Sequence, residues 1–134
     1  MVKTELELDV RYYETDKMGI VHHSNYIRYF ECGRSDMMEK VGLPIVRIEE
    51  DGVVLPVIGV EARYRKSALM GDRIRIVSMI EKVPLAKLVV LSEIYNQDGD
   101  LLCDGKVTLG FLDSETRRPV RCPQALVDVI EKYM

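Results

Sequence analysis

Long apolar runs, paired cysteines and metal-ligand spacings are all missing from this sequence, and each absence removes a class of function. No stretch approaches the ~18 apolar residues of a membrane helix, and the opening MVKTELELDV alternates charge with apolarity, unlike a signal peptide. The expectation is a cytoplasmic protein with no membrane span. Three cysteines, Cys32, Cys103 and Cys122, are an odd number with no Cys-x-x-Cys pair, which points to free thiols in a reducing compartment. The two histidines, His22 and His23, are adjacent, whereas metal sites draw three or four ligands at helical or Cys-x-x-Cys spacing. No metal or other cofactor is therefore expected. A Gly-x-Ser-x-Gly elbow and a glycine-rich phosphate loop are absent as well. The net charge of −3 argues against nucleic acid as a partner, because phosphate binding needs a basic surface.

What is present fits one α+β domain over residues 1–134. Hydrophobic residues make up 47% and charged residues 31%, an ordinary globular balance. Residues 3–12 alternate, with Leu6, Leu8, Val10 and Tyr12 against Glu5, Glu7, Asp9 and Arg11; that period predicts a half-buried strand. From Ser24 to Val41 apolar residues recur at helical spacing, with Gly42 as the stop and Pro44 beyond it. Gly33 inside that helix costs about 1 kcal/mol relative to alanine, so a close helix–sheet approach is the reason to expect for it. Four strands follow: one around 58–65, one over 73–83 after the Met70-Gly71-Asp72 turn, a fully buried one over 88–95, and a last one over 101–112 after Asp98-Gly99. Pro123 then opens a short C-terminal helix. Short turns imply an antiparallel sheet, and one helix covering one face leaves strand edges to be paired, which implies a homo-oligomer.

Chemistry concentrates in the segment ETDKMGIVHHSNY, residues 14–26. Asp16 lies between a strand and a helix start, beside Met18, Gly19, Ile20 and Val21. A carboxylate held there can attack a carbonyl or activate water, and unpaired N–H groups at the helix start can stabilise an oxyanion. Asp16 can equally do no more than bond turn amides. His22 reads as a solvated loop residue, and His23 as one that orients the loop or a substrate. Glu31 and Arg34 are spaced for a surface pair. Arg63, Arg65 and Lys66 form a small basic cluster, and Lys82 and Lys87 bracket the turn at Pro84. The cysteines lack a histidine neighbour, which disfavours a thiol nucleophile.

The segment from Val10 to Pro44, VRYYETDKMGIVHHSNYIRYFECGRSDMMEKVGLP, resembles the signature of the 4-hydroxybenzoyl-CoA thioesterase branch of the hotdog-fold acyl-CoA thioesterases, including the Tol–Pal-cluster type. Tyr13, Glu14-Thr15-Asp16, Gly19-Ile20-Val21, His22-His23, Asn25-Tyr26, Phe30-Glu31, Arg34 and Gly42-Leu43-Pro44 carry the likeness, and VEARYRKSALMGDRIRI fits the family's later strand and turn. The resemblance implies a five-stranded antiparallel sheet wrapped around one long central helix, and a homodimer or homotetramer with active sites at the dimer interface. It implies hydrolysis of an acyl- or aroyl-CoA to the free acid and coenzyme A, without a cofactor. Asp16 would be the catalytic nucleophile or general base, and the His23 backbone N–H would polarise the thioester carbonyl. Gly19, Val21, Asn25 and Tyr26 would line the substrate. Lys82 and Lys87 would meet the coenzyme A phosphates, although EKVPLAKL departs from the family's basic run. The alternatives are an acyl carrier protein thioesterase, docking through Arg63, Arg65 and Lys66, and a hotdog module that binds acyl-CoA without cleaving it.

Overall fold

A computed structural model covering residues 1–134 shows one helix laid across a five-stranded antiparallel sheet. The strands are β1 (Val2–Asp9), β3 (Val57–Tyr64), β4 (Arg73–Ile80), β5 (Leu88–Tyr95) and β6 (Leu101–Leu109), ordered β1-β4-β5-β6-β3. The long helix α1 (Ser24–Lys40) presents Tyr26, Tyr29, Phe30, Gly33 and Met37 to the sheet, all buried. Its expected close approach to the sheet is present. A Cβ built on Gly33 would lie 2.6 Å from both Ile76 Cγ2 and Ser78 Oγ on β4. The helix ends as its sequence requires. Gly42 takes φ +85°, its N–H donates to the Glu39 carbonyl, and Leu43 N–H donates to that of Met38, which satisfies carbonyls the helix leaves free.

Several expectations need correction. The β5 strand is not buried on both faces: Leu88, Val90, Ser92 and Ile94 are buried while Val89, Leu91, Glu93 and Tyr95 alternate outward, because the only helix layer lies on one side. Tyr12 is not on β1; it sits in a 3-10 turn (Tyr12–Glu14) and is 79% exposed. A helix α2 (Ile45–Glu50) fills what reads as loop, and Gly110 splits the last strand from a short β7 (Leu112–Asp113), which pairs with β2 (Val53–Val54). The C-terminal helix α3 (Gln124–Glu131) has Pro123 as its N-cap. In the single chain α1 is not enclosed, since Ile27, Arg28, Glu31, Cys32 and Ser35 face outward.

The most consequential correction is topological. The β3 and β4 strands are consecutive in the chain but are separated in the sheet by β5 and β6, so residues 65–72 are a crossover and not a hairpin turn. That crossover passes over the start of α1. It also leaves β3 as an edge strand, with Val57 and Ile58 at least half exposed.

Candidate active site

The loop between β1 and α1 is held by a buried acid. Glu14 is 6% exposed; its Oε1 accepts bonds from the Tyr29 hydroxyl (3.0 Å) and the Arg11 N–H (2.8 Å), and its Oε2 pairs with Arg11 Nη1 at 3.2 Å. Its carbonyl accepts bonds from the His22 N–H (2.9 Å) and from Asn25 Nδ2 (2.8 Å). One residue thus fixes both arms of the loop, and burial pushes the Tyr29 phenol well above its ordinary range, with the Glu14 charge adding to the shift. The sequence pattern offered one signal for this, an acid three residues after Arg11, the spacing at which a side chain can reach back to the first N–H of a turn.

Within this frame Asp16 closes a tight turn. Its Oδ1 accepts the Met18 N–H at 2.8 Å, and its carbonyl accepts the Gly19 N–H at 3.1 Å. Gly19 adopts φ +78°, a conformation costly to any residue with a Cβ. The second Asp16 carboxylate oxygen bonds to no protein group. The chain then returns along the crossover: Val21 N–H donates to the Ala68 carbonyl (2.9 Å), Ile20 bridges Leu69, and the Tyr26 hydroxyl accepts the Ala68 N–H at 3.0 Å.

The helix start has an open donor. His22 Nδ1 accepts the Ser24 N–H (3.2 Å) and lies 2.8 Å from Ser24 Oγ, so His22, exposed in the loop as expected, also ties its ring to the first residue of α1. The His23 backbone N–H bonds to no protein group, while its carbonyl accepts the Tyr64 hydroxyl at 3.3 Å and its ring meets Tyr64 edge-on at 6.4 Å. Asp16, Val21, His23 and Tyr26 share the wall of one cleft of about 280 Å³, whose far side is Tyr64, Arg65, Lys66 and Ser67. The sequence had no means of placing Tyr64 and Ser67 there, because the crossover brings them in from the opposite sheet edge.

The other candidates are distributed differently. Asn25 lines a neighbouring cleft with Tyr12, Tyr13, Thr15 and His22, a cleft that Asp16 also reaches. Gly19 lines neither and contributes its conformation. Lys82 and Lys87 line a separate cleft at the β4–β5 turn that shares no wall residue with the Asp16 clefts. Arg65 pairs with Asp104 at 2.9 Å and Lys66 with Asp100 at 2.6 Å. Cys103 and Cys122 are buried, and burial pushes both thiols up to about 11, so neither supplies a thiolate at neutral pH.

Against known proteins, residues 10–130 match the family described as the thioesterase-like superfamily. The provisionally assigned acyl-CoA thioesterase YneP of Bacillus subtilis (strain 168) is 33% identical over 122 residues, spanning 91% of this chain and 88% of its own. The structure of a DHNA-CoA thioesterase from Staphylococcus aureus superposes with a TM-score of 0.90 at 32% identity, covering 99% of this chain and 89% of its own. The acyl-CoA thioesterase YbgC of Helicobacter pylori (strain ATCC 700392 / 26695) is 26% identical over 129 residues, covering 90% of this chain and 95% of its own. A carboxylate and an open helix-start N–H on one cleft, a match over nearly the whole chain and this superposition agree: the chain belongs to the thioesterase-like superfamily and has the hotdog thioesterase fold.

Proposed function

We propose that this protein hydrolyses an acyl- or aroyl-CoA thioester to the free acid and coenzyme A. The observation that carries the reading is the shared cleft in which a half-occupied Asp16 carboxylate and an unpaired His23 N–H stand on adjoining walls. The carbonyl oxygen accepts the His23 N–H, and negative charge builds on that oxygen as the tetrahedral intermediate forms. A backbone donor of this kind is worth roughly 3 kcal/mol. Asp16 takes a proton from the attacking water or attacks the carbonyl itself; in either route the C–S bond breaks and the thiolate leaves with the electron pair. In the first route water supplies the acid's second oxygen; in the second Asp16 gives one of its oxygens to the acid through a mixed anhydride, and water attacking the Asp16 carbonyl restores the carboxylate. Val21 and Tyr26 line the substrate beside them, Gly19 holds the turn, and Asn25 locks the loop through the Glu14 carbonyl.

The test is Asp16→Asn and Asp16→Ala, folded by circular dichroism, on short-chain, long-chain and aromatic acyl-CoAs. Rates near wild type would sink the assignment. Turnover in heavy-oxygen water with mass analysis of the loop peptide separates the two routes, since label retained on Asp16 marks attack by its carboxylate.

Within the family, the Val10–Pro44 motif supports the 4-hydroxybenzoyl-CoA branch of Tol–Pal type, and the aromatic arm of the panel tests that. The pairing of Arg65 and Lys66 with acids leaves Arg63 alone of that cluster, which favours coenzyme A over an acyl carrier protein. Exposed Val57 and Ile58 on the β3 edge, with exposed Tyr12, Tyr13 and Met18 beside Asp16, support a homodimer or homotetramer whose sites lie at the interface. In that assembly Lys82 and Lys87 serve the coenzyme A phosphates from a neighbouring subunit. The three unpaired thiols support a cytoplasmic setting. Sedimentation gives the assembly state.

A further inference from the structure

The most apolar cavity in the molecule is not the Asp16 cleft. A cavity of about 410 Å³ lies under the second half of α1, between that helix, α2 and the inner face of the sheet. Met37, Met38, Ile45, Leu55, Leu88 and Val90 form most of its wall. One charge intrudes on it. Arg34, on α1, lines the same cavity and is 8% exposed, yet it makes no ion pair or hydrogen bond with any protein group. The residue stands on the cavity wall, and its guanidinium nitrogens keep some accessible surface. Burial pulls its pKa down, with the Glu31 charge opposing. The other charged residues of the wall, Glu31, Glu49 and Arg117, are all solvent-exposed.

A buried guanidinium without a partner is costly, and its planar fork matches a carboxylate better than any other common anion save phosphate. Apolar walls of this area disfavour phosphate, which would have to be stripped of water with only one cation to compensate. We propose that this cavity is a second ligand site, distinct from the Asp16 cleft, which binds an apolar-tailed carboxylate: the tail lies between α1 and α2, and the carboxylate pairs with Arg34. Free acid, the chemical class that thioester hydrolysis releases, has this form; so does the distal end of an acyl group bearing a second carboxyl.

The test needs no turnover, so it stands apart from the proposed reaction. Octanoate and octanol are titrated calorimetrically into the wild type, into Arg34→Met and into Leu55→Trp, which fills the cavity while leaving Arg34 in place. Octanoate should bind the wild type at least roughly tenfold tighter than octanol, the range of a charge-assisted hydrogen bond. Arg34→Met should erase that preference, and Leu55→Trp should abolish octanoate binding. Equal binding of octanoate and octanol by the wild type overturns the proposal, as does octanoate binding that persists in Leu55→Trp. A second arm separates the sources by comparing kcat/KM for CoA thioesters of equal length ending in carboxylate or methyl. A wild-type preference for the carboxylate that falls in Arg34→Met assigns the site to the acyl end of the substrate. An unchanged ratio, with Arg34-dependent octanoate binding, assigns it to free acid.

Discussion

Replacing Gly33 by alanine should destabilise this protein, although the same change at an ordinary helical glycine stabilises. The added methyl would meet Ile76 Cγ2 and Ser78 Oγ, each at 2.6 Å, where van der Waals contact lies nearer about 3.5–4.0 Å. Helix and strand must therefore part by roughly 1 Å, and Ile76, β-branched and fully buried, has little rotamer freedom to give way. Overpacking of this kind costs about 1–3 kcal/mol. Alanine returns about 1 kcal/mol of helix propensity. The net is a loss of ~0–2 kcal/mol, a few degrees of Tm for each kcal/mol in a chain of this length. Urea denaturation with an unchanged slope is the assay. Ser78→Ala supplies the control: it removes Ser78 Oγ, which is one of the two obstacles and itself a buried hydroxyl without a partner. Combined with Gly33→Ala it should cost less than the sum of the single changes, since contacting sites are not additive. A higher urea midpoint for Gly33→Ala would refute the close approach.

Other consequences are directly measurable. Glu14→Gln puts an amide N–H against the Arg11 guanidinium and leaves a buried network short of an acceptor; about 1–3 kcal/mol should be lost, with kcat falling more than KM rises as the Asp16 turn loosens. Tyr26→Phe leaves the Ala68 N–H without its acceptor, again about 1–3 kcal/mol by chemical denaturation, and should raise hydrogen exchange at Ala68 selectively. A thiol reagent at neutral pH should label Cys32 alone in the native protein, because Cys103 and Cys122 are buried and held protonated. Those two thiols also set an alkaline limit. Folding raises them from 9.0 to about 11, so the stability linked to their protonated form is complete below about 9 and is lost as pH climbs through about 11.

Much of the fold was legible because each element advertised its period. The β1 alternation, the apolar stripe of α1, its Gly42 stop and the reason for Gly33 all follow from short-range pattern. The site's near half was legible for the same reason, since Asp16, Gly19, Val21, His23 and Tyr26 sit in one continuous stretch. What the pattern missed is long-range. The continuous apolar run of β5 reads as doubly buried, yet whether its outer face is covered depends on which layers exist. Met70-Gly71-Asp72 reads as a hairpin, since turn chemistry does not reveal that the chain crosses two strands before it pairs again. Tyr64 and Ser67 enter the site only through that crossover. Glu14 drew no structural role of its own, and His22 read as a solvated ring, because their partners, Tyr29 and Ser24, were not visible as partners in sequence.

That crossover also bears on how the molecule comes to be active. Ala68 is tied to Tyr26, 42 residues away, by a buried bond, and β3 reaches its place only by pairing with β6, at the far end of the chain. The cleft therefore closes through contacts of high sequence separation, which form late because chain closure must be met first. The loop and helix can form early, but their counterwall arrives with the last strands. Upon refolding, turnover should return with the slowest phase of sheet formation and never ahead of it, and a nascent chain would hold the Asp16 loop in place well before the cleft around it is complete.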